Sequence, residues 1–121
     1  MLNLLSLIYA GPSRVYTVIL TDVDHIKVRQ VKNGSKIIEF SVQYNSLIRG
    51  KWRKITRYDN AHGYPHRHVY YPNKPEYKHS MNTLDTNEAF TEAQIGIKKN
   101  FIRMKETYII LMRNVGEANH E

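Results

Sequence analysis

The segment RYDNAHGYPHRHVYY, residues 57 to 71, holds two arginines, three histidines, four tyrosines and one aspartate. Such a density of proton-carrying and anion-binding groups suits cleavage of RNA. That reaction needs a base for the 2′-hydroxyl, an acid for the leaving 5′-oxygen, and cations for the charge that grows on the phosphate. Histidine serves both proton roles, because its ordinary pKa of about 6.5 lies near working pH. His66 and His68 are therefore the expected proton-transfer residues, with His62 able to replace either. Arg57 and Arg67 offer planar forks for phosphate oxygens. Asp59 would orient a histidine and fix its tautomer, and Tyr58, Tyr64 and Tyr70 offer rings for unpaired bases. This scheme asks for no metal ion and no other cofactor.

Other chemistries use the same residues. His66-x-His68, with His62 and Asp59, could supply three nitrogens and a carboxylate to a metal ion. The cluster could also bind nucleic acid without cleaving it. In the plainest case the histidines are solvated or bonded to backbone, and Asp59 only partners Arg57 or forms a turn.

Strands must position these side chains, since residues two apart on a strand share a face. Ile55, Arg57 and Asp59 then point one way, with Thr56 and Tyr58 opposite. In the next extended piece His66, His68 and Tyr70 share a face, with Arg67, Val69 and Tyr71 on the other. Pairing of the two pieces across Asn60–Pro65 would bring Arg57, Asp59, His62, His66 and His68 to one patch.

Upstream, residues 13–21 read as a strand, Asp22–Asp24 as a turn, and 25–31 and 35–44 as two strands joined by an Asn33-Gly34 hairpin. In the second of these, Ile38, Phe40, Val42 and Tyr44 share a face. Asn45–Gly50 reads as a loop or second turn and 51–59 as a further strand. Residues 72–84, with two prolines, read as a loop. A long helix over about 86–115 opens on an Asp85 cap and carries the stripe Phe90, Ala93, Ile97, Phe101, Met104, Tyr108, Leu111 and Val115, with Gly116 as its C-cap. The expectation is one α+β domain over residues 1–121: a curved antiparallel sheet of four to five strands, meandering through residues 13–71 and packed by one C-terminal helix. A helix that outreaches a small sheet could also form a homodimer.

Eighteen Lys+Arg against eleven Asp+Glu give a net charge of +7, which favours polyanionic partners. Lys51, Arg53 and Lys54 could track phosphates, whereas Trp52 reads as packing. With no cysteine, disulfides and thiolate chemistry are excluded, which fits a cytoplasmic location. The apolar start, MLNLLSLIYAG, lacks a basic leader and is too short to span a bilayer, so it reads as a buried strand or short helix and no membrane role is expected.

Arg57-Tyr58-Asp59-Asn60-Ala61, a histidine soon after, and then Pro65-His66-Arg67-His68 resemble the R-Y-D-N-A…P-H-x-H signature of TumE-type toxins of bacterial and archaeal toxin–antitoxin pairs. Those proteins share the order of a β-rich first half, the signature and a helical C-terminal part. The matched positions are Arg57, Tyr58, Asp59, Asn60, His66 and His68, with Arg67 in the variable place between the histidines. The resemblance implies a toxin-like protein that acts on RNA and is held in check by a separate antitoxin protein.

Overall fold

The computed structural model describes residues 13–119, with side chains as far as residue 114. The expected N-terminal strand or short helix lies outside the described residues. The elements are β1 (Ser13–Thr21), β2 (Asp24–Asn33), β3 (Lys36–Ile48), β4 (Lys51–Asp59), a 3-10 turn (Ala61–Gly63), β5 (His66–Val69), β6 (Tyr77–Ser80) and α1 (Thr86–Asn119). All six strands pair antiparallel in chain order, giving one curved, open meander with α1 laid across it. Among the described residues no helix is long and apolar enough to cross a membrane.

The sheet has more strands than the four or five expected, because β6 forms inside the stretch read as a loop. Its four residues pair with β5, from His66 opposite Ser80 to Val69 opposite Tyr77. β3 likewise runs on to Ile48 through residues read as a loop or second turn. Its turn is only Arg49-Gly50, both at positive φ (54° and 74°), the two-residue geometry that matches strand twist. The β2–β3 turn sits one residue later than the Asn33-Gly34 reading. Asn33 pairs with Lys36, and Gly34 alone takes a positive φ, of 63°. Asp24, read as part of a turn, is the first residue of β2.

The core lies between α1 and one face of the sheet. Ile26, Val28, Phe40, Val42 and Tyr44 meet Ala89, Phe90, Ala93, Ile97 and Tyr108 from the helix. Phe40 meets Phe90, and Tyr44 meets Phe101, edge to face with ring centroids 5.9 Å apart in each pair. Two register shifts change which residues enter this core. The shift beside Val31 leaves Ile38 unpaired and turns Ile37 inward instead. The shift beside Tyr44 leaves Ile55 between the paired residues Lys54 and Thr56 and buries it, so it does not share the face of Arg57 and Asp59. On the helix Met112 is buried where the stripe reading placed Leu111, which is half-buried.

Polar contacts fix the helix in place. Asp85 Oδ1 accepts the Glu88 N–H at 2.9 Å, the expected N-cap. Asn87 bridges to the β2–β3 turn, accepting from Ile37 N at 2.8 Å and donating to Ser35 O. Further along, Lys105 reaches the buried Asp24 carboxylate at 3.4 Å. That carboxylate also accepts from Tyr44 Oη, Ser46 Oγ and Thr21 Oγ1. The helix continues through Gly116 to Asn119, so Gly116 is not its C-cap.

Candidate functional site

β4 and β5 pair with Arg57 opposite His68 and Asp59 opposite His66. Their neighbours Tyr58 and Thr56 pair with Val42 and Tyr44 and face the helix. Alternation therefore places Arg57, Asp59, His66 and His68 together on the face away from α1. Asn60 holds the end of β4 in the sheet. Its side-chain amide accepts from Phe40 N at 3.0 Å and donates to Ile38 O at 2.9 Å, as a strand backbone would. The chain then reverses through His62 and Gly63, both at positive φ (69° and 92°). Gly63 takes that conformation without strain, whereas at His62 it carries a cost.

Asp59 is the centre of the cluster. Its Oδ1 lies 3.1 Å from His66 Nε2 and accepts the Ala61 N–H. Its Oδ2 lies 3.2 Å from His68 Nε2 and accepts from Arg57 Nε at 2.8 Å. The outer nitrogens are also held. His66 Nδ1 lies 3.0 Å from the Tyr64 carbonyl oxygen, and His68 Nδ1 lies 2.7 Å from Glu76 Oε2. Neither acceptor carries a proton to give, so each Nδ1 is the N–H donor. Arg57 Nη2 also approaches His68 Nε2 at 3.4 Å. Asp59, His66 and His68 are 6%, 4% and 3% exposed, so any chemistry at their nitrogens proceeds largely shielded from bulk water.

The rings of His62, His66, His68 and Tyr70 form a row. Successive centroids are 6.4, 4.7 and 6.2 Å apart, and Tyr70 lies nearly parallel to His68, at 8°. Lys54 Nζ caps the Tyr70 ring at 4.5 Å. Burial pushes the Tyr70 hydroxyl pKa up, with Glu76 and Asp59 adding to the effect and Arg57 opposing it. Tyr64 is exposed and stands 5.4 Å from His66, at the rim with His62.

The structure thus brings together Arg57, Asp59, His66 and His68, with His62, Tyr64, Tyr70 and Lys54 around them. Arg67 and Tyr58 lie on the opposite face. Arg67 donates to Thr56 Oγ1 at 3.0 Å and covers the Tyr58 ring at 5.4 Å, in a cleft between sheet and helix lined also by Asn100 and Arg103. His79 pairs with Arg67 across β5 and β6, which sets it on that same far face. Lys51 and Arg53 pair with the core-facing Ile48 and Ser46, so they lie on the helix side of the sheet, in a shallow groove with Tyr71 and Tyr108 and away from the histidines. Trp52 packs on the sheet face and not in the core: it is half exposed and rests on His25 at 4.4 Å. Sequence reasoning missed Glu76. The only signal for it is the short Tyr77–Ser80 strand that follows Pro75, which turns a presumed loop into a third strand of the site.

The fold is an open α+β meander crossed by one helix, and its polar cluster is one aspartate shared by two histidines. The chain belongs to the family described as a domain of unknown function (DUF7718), whose model matches residues 11–111. That span holds all the site residues. No curated protein and no solved structure matches the chain.

Proposed function

We propose that the protein acts on RNA at the Asp59–His66–His68 cluster and cleaves its phosphodiester backbone. The observation that carries this reading is the convergence of Arg57 and both histidines on one carboxylate, beside the Lys54–Tyr70 pair. In a nuclease these groups divide the work. Arg57, partly exposed, faces the phosphate and steadies the charge that develops on it. Tyr70 and Tyr64 offer faces for unpaired bases, and Lys54 draws in the backbone. The Asp59 cluster handles the protons lost by the 2′-hydroxyl and gained by the 5′-oxygen. In the metal-independent form of this mechanism, a histidine Nε2 must turn from Asp59 toward the substrate during the reaction.

The resemblance to TumE-type toxins supports the same reading, together with a cytoplasmic setting and a separate antitoxin protein as partner. The net charge of +7 is consistent with an RNA target.

The test is incubation of the purified protein with end-labelled single-stranded RNA, in EDTA and with added divalent ions, beside Arg57→Ala. The Arg57 side chain is a third exposed, so its removal leaves the core intact. Cleavage by wild type, reduced about 10²–10³-fold in the variant, is the expected result. A salt-sensitive gel shift without cleavage in any condition would replace the nuclease with a binding module. Neither cleavage nor binding would overturn the reading.

A further inference from the structure

We propose that Asp59, His66 and His68 form a binding site for one divalent first-row transition-metal ion. The argument begins with the outer nitrogens. Each Nδ1 donates its hydrogen, His66 to the Tyr64 carbonyl and His68 to Glu76. A neutral imidazole fixed in that tautomer presents a bare lone pair at Nε2. Here both lone pairs point at carboxylate oxygens of Asp59, 3.1 and 3.2 Å away. Lone pairs at that separation repel, so positive charge must stand between them. Either two protons or a single divalent ion supplies it. His68 Nε2 has an alternative donor in Arg57 Nη2 at 3.4 Å, whereas His66 Nε2 faces only Asp59 among the described residues.

The distances fit an ion. Metal–nitrogen and metal–oxygen bonds of about 2.0–2.2 Å place two ligands about 3.0 Å apart at a right angle and about 3.4 Å apart at the tetrahedral angle. The observed 3.1 and 3.2 Å fall between those limits, and because they end on different oxygens of Asp59, one ion held by both histidines would meet both oxygens of that carboxylate. The outer contacts also match those of metal-bound histidines, whose second nitrogen is held by a carbonyl or carboxylate. Two imidazoles and one carboxylate suit manganese, iron, cobalt, nickel or zinc, rather than calcium or magnesium. Three protein ligands leave coordination positions for water or an anion, and Arg57 stands beside them. The proposal concerns ion binding alone and holds whether or not the protein cleaves RNA.

The test uses tag-free protein, stripped with EDTA and dialysed, then titrated with Mn²⁺, Co²⁺ and Zn²⁺ by calorimetry, with Co²⁺ followed also by its visible absorption. One ion per chain is expected, with a rise in the unfolding temperature. Asp59→Asn and His66→Gln, checked for folding by circular dichroism, are expected to lose it. Glu76 lies at the exposed edge of the site, so Glu76→Gln serves even if those buried variants fail to fold. It is expected to bind about 10–100-fold more weakly. A folded wild type that binds none of the three ions would overturn the proposal. So would binding unchanged in both folded Asp59→Asn and Glu76→Gln, which would place the ion on surface histidines. Ion binding without RNA cleavage removes the nuclease reading only, and cleavage in EDTA by protein that binds no ion removes this one only.

Discussion

Asp24→Asn is expected to unfold the protein about 12 °C earlier than wild type. Asp24 is 3% exposed and sits where the first hairpin meets the helix. Its Oδ1 accepts from Tyr44 Oη and Ser46 Oγ, both at 2.7 Å, and its Oδ2 accepts from Thr21 Oγ1 at 2.5 Å. Lys105 lies 3.4 Å from Oδ1 and 3.5 Å from Oδ2. Asparagine keeps the shape and removes the charge. Three charge-assisted bonds become neutral ones, at a loss of roughly 1 kcal/mol each. The new amide also turns hydrogens toward the Thr21 hydroxyl, which already accepts from Val23 N. The sum is about 3 kcal/mol, and about 4 °C per kcal/mol applies to a domain of this size. Thermal unfolding followed by circular dichroism measures it, with Lys105→Met and the double variant completing a cycle. Lys105→Met should cost less in the Asp24→Asn background than in wild type. A shift under about 3 °C, or full additivity of the two changes, would refute the view that this carboxylate ties helix to sheet.

Two further outcomes follow from the same interior. Burial alone would raise the Asp24 pKa, but the Thr21, Tyr44 and Ser46 hydroxyls and Lys105 outweigh it and hold the group below its ordinary 3.8. The stability this lends is complete above 3.8 and is lost as pH falls through the lower folded value, so acid melts should show a wild-type decline in that range that Asp24→Asn lacks. Gly96 sits inside α1 with its added Cβ position 3.6 Å from Tyr58 Oη, an ordinary contact. Gly96→Ala should therefore stabilise by about 0.5–1 kcal/mol, read as a small rise in denaturant midpoint at unchanged slope.

The architecture was legible where a period was strong. Phe40, Val42 and Tyr44 alternate along β3, and the helical stripe from Phe90 to Tyr108 needs a sheet to cover it. The meeting of Arg57, Asp59, His66 and His68 was legible too, because alternation and a short connection suffice to align two neighbouring strands. What alternation cannot show is an interruption of itself. The irregularities beside Val31 and Tyr44 exchange Ile38 for Ile37 and move Ile55 into the core, and no residue there announces a bulge. β6 was missed for a different reason. All four of its residues are exposed, so it carries no buried face to imprint a pattern on the sequence. Glu76 went with it, since its approach to His68 depends on that strand existing.

The three-stranded character of the site also bears on the order in which the chain can assemble. The contacts of His68 with Arg57 and Glu76 join residues only 11 and 8 positions apart. The helix is tied to the sheet by Asn87 with Ile37 across 50 positions and by Lys105 with Asp24 across 81. Closing the longest of these loops costs about 1.8 kcal/mol more chain entropy than closing the 11-residue one. The contacts of the histidine cluster thus close over short loops, while the helix depends on strands far behind it in sequence. Injury at the helix seat would still reach the histidines, because Ile55 and Tyr58 of the strand that carries Arg57 and Asp59 pack in the same core as the helix.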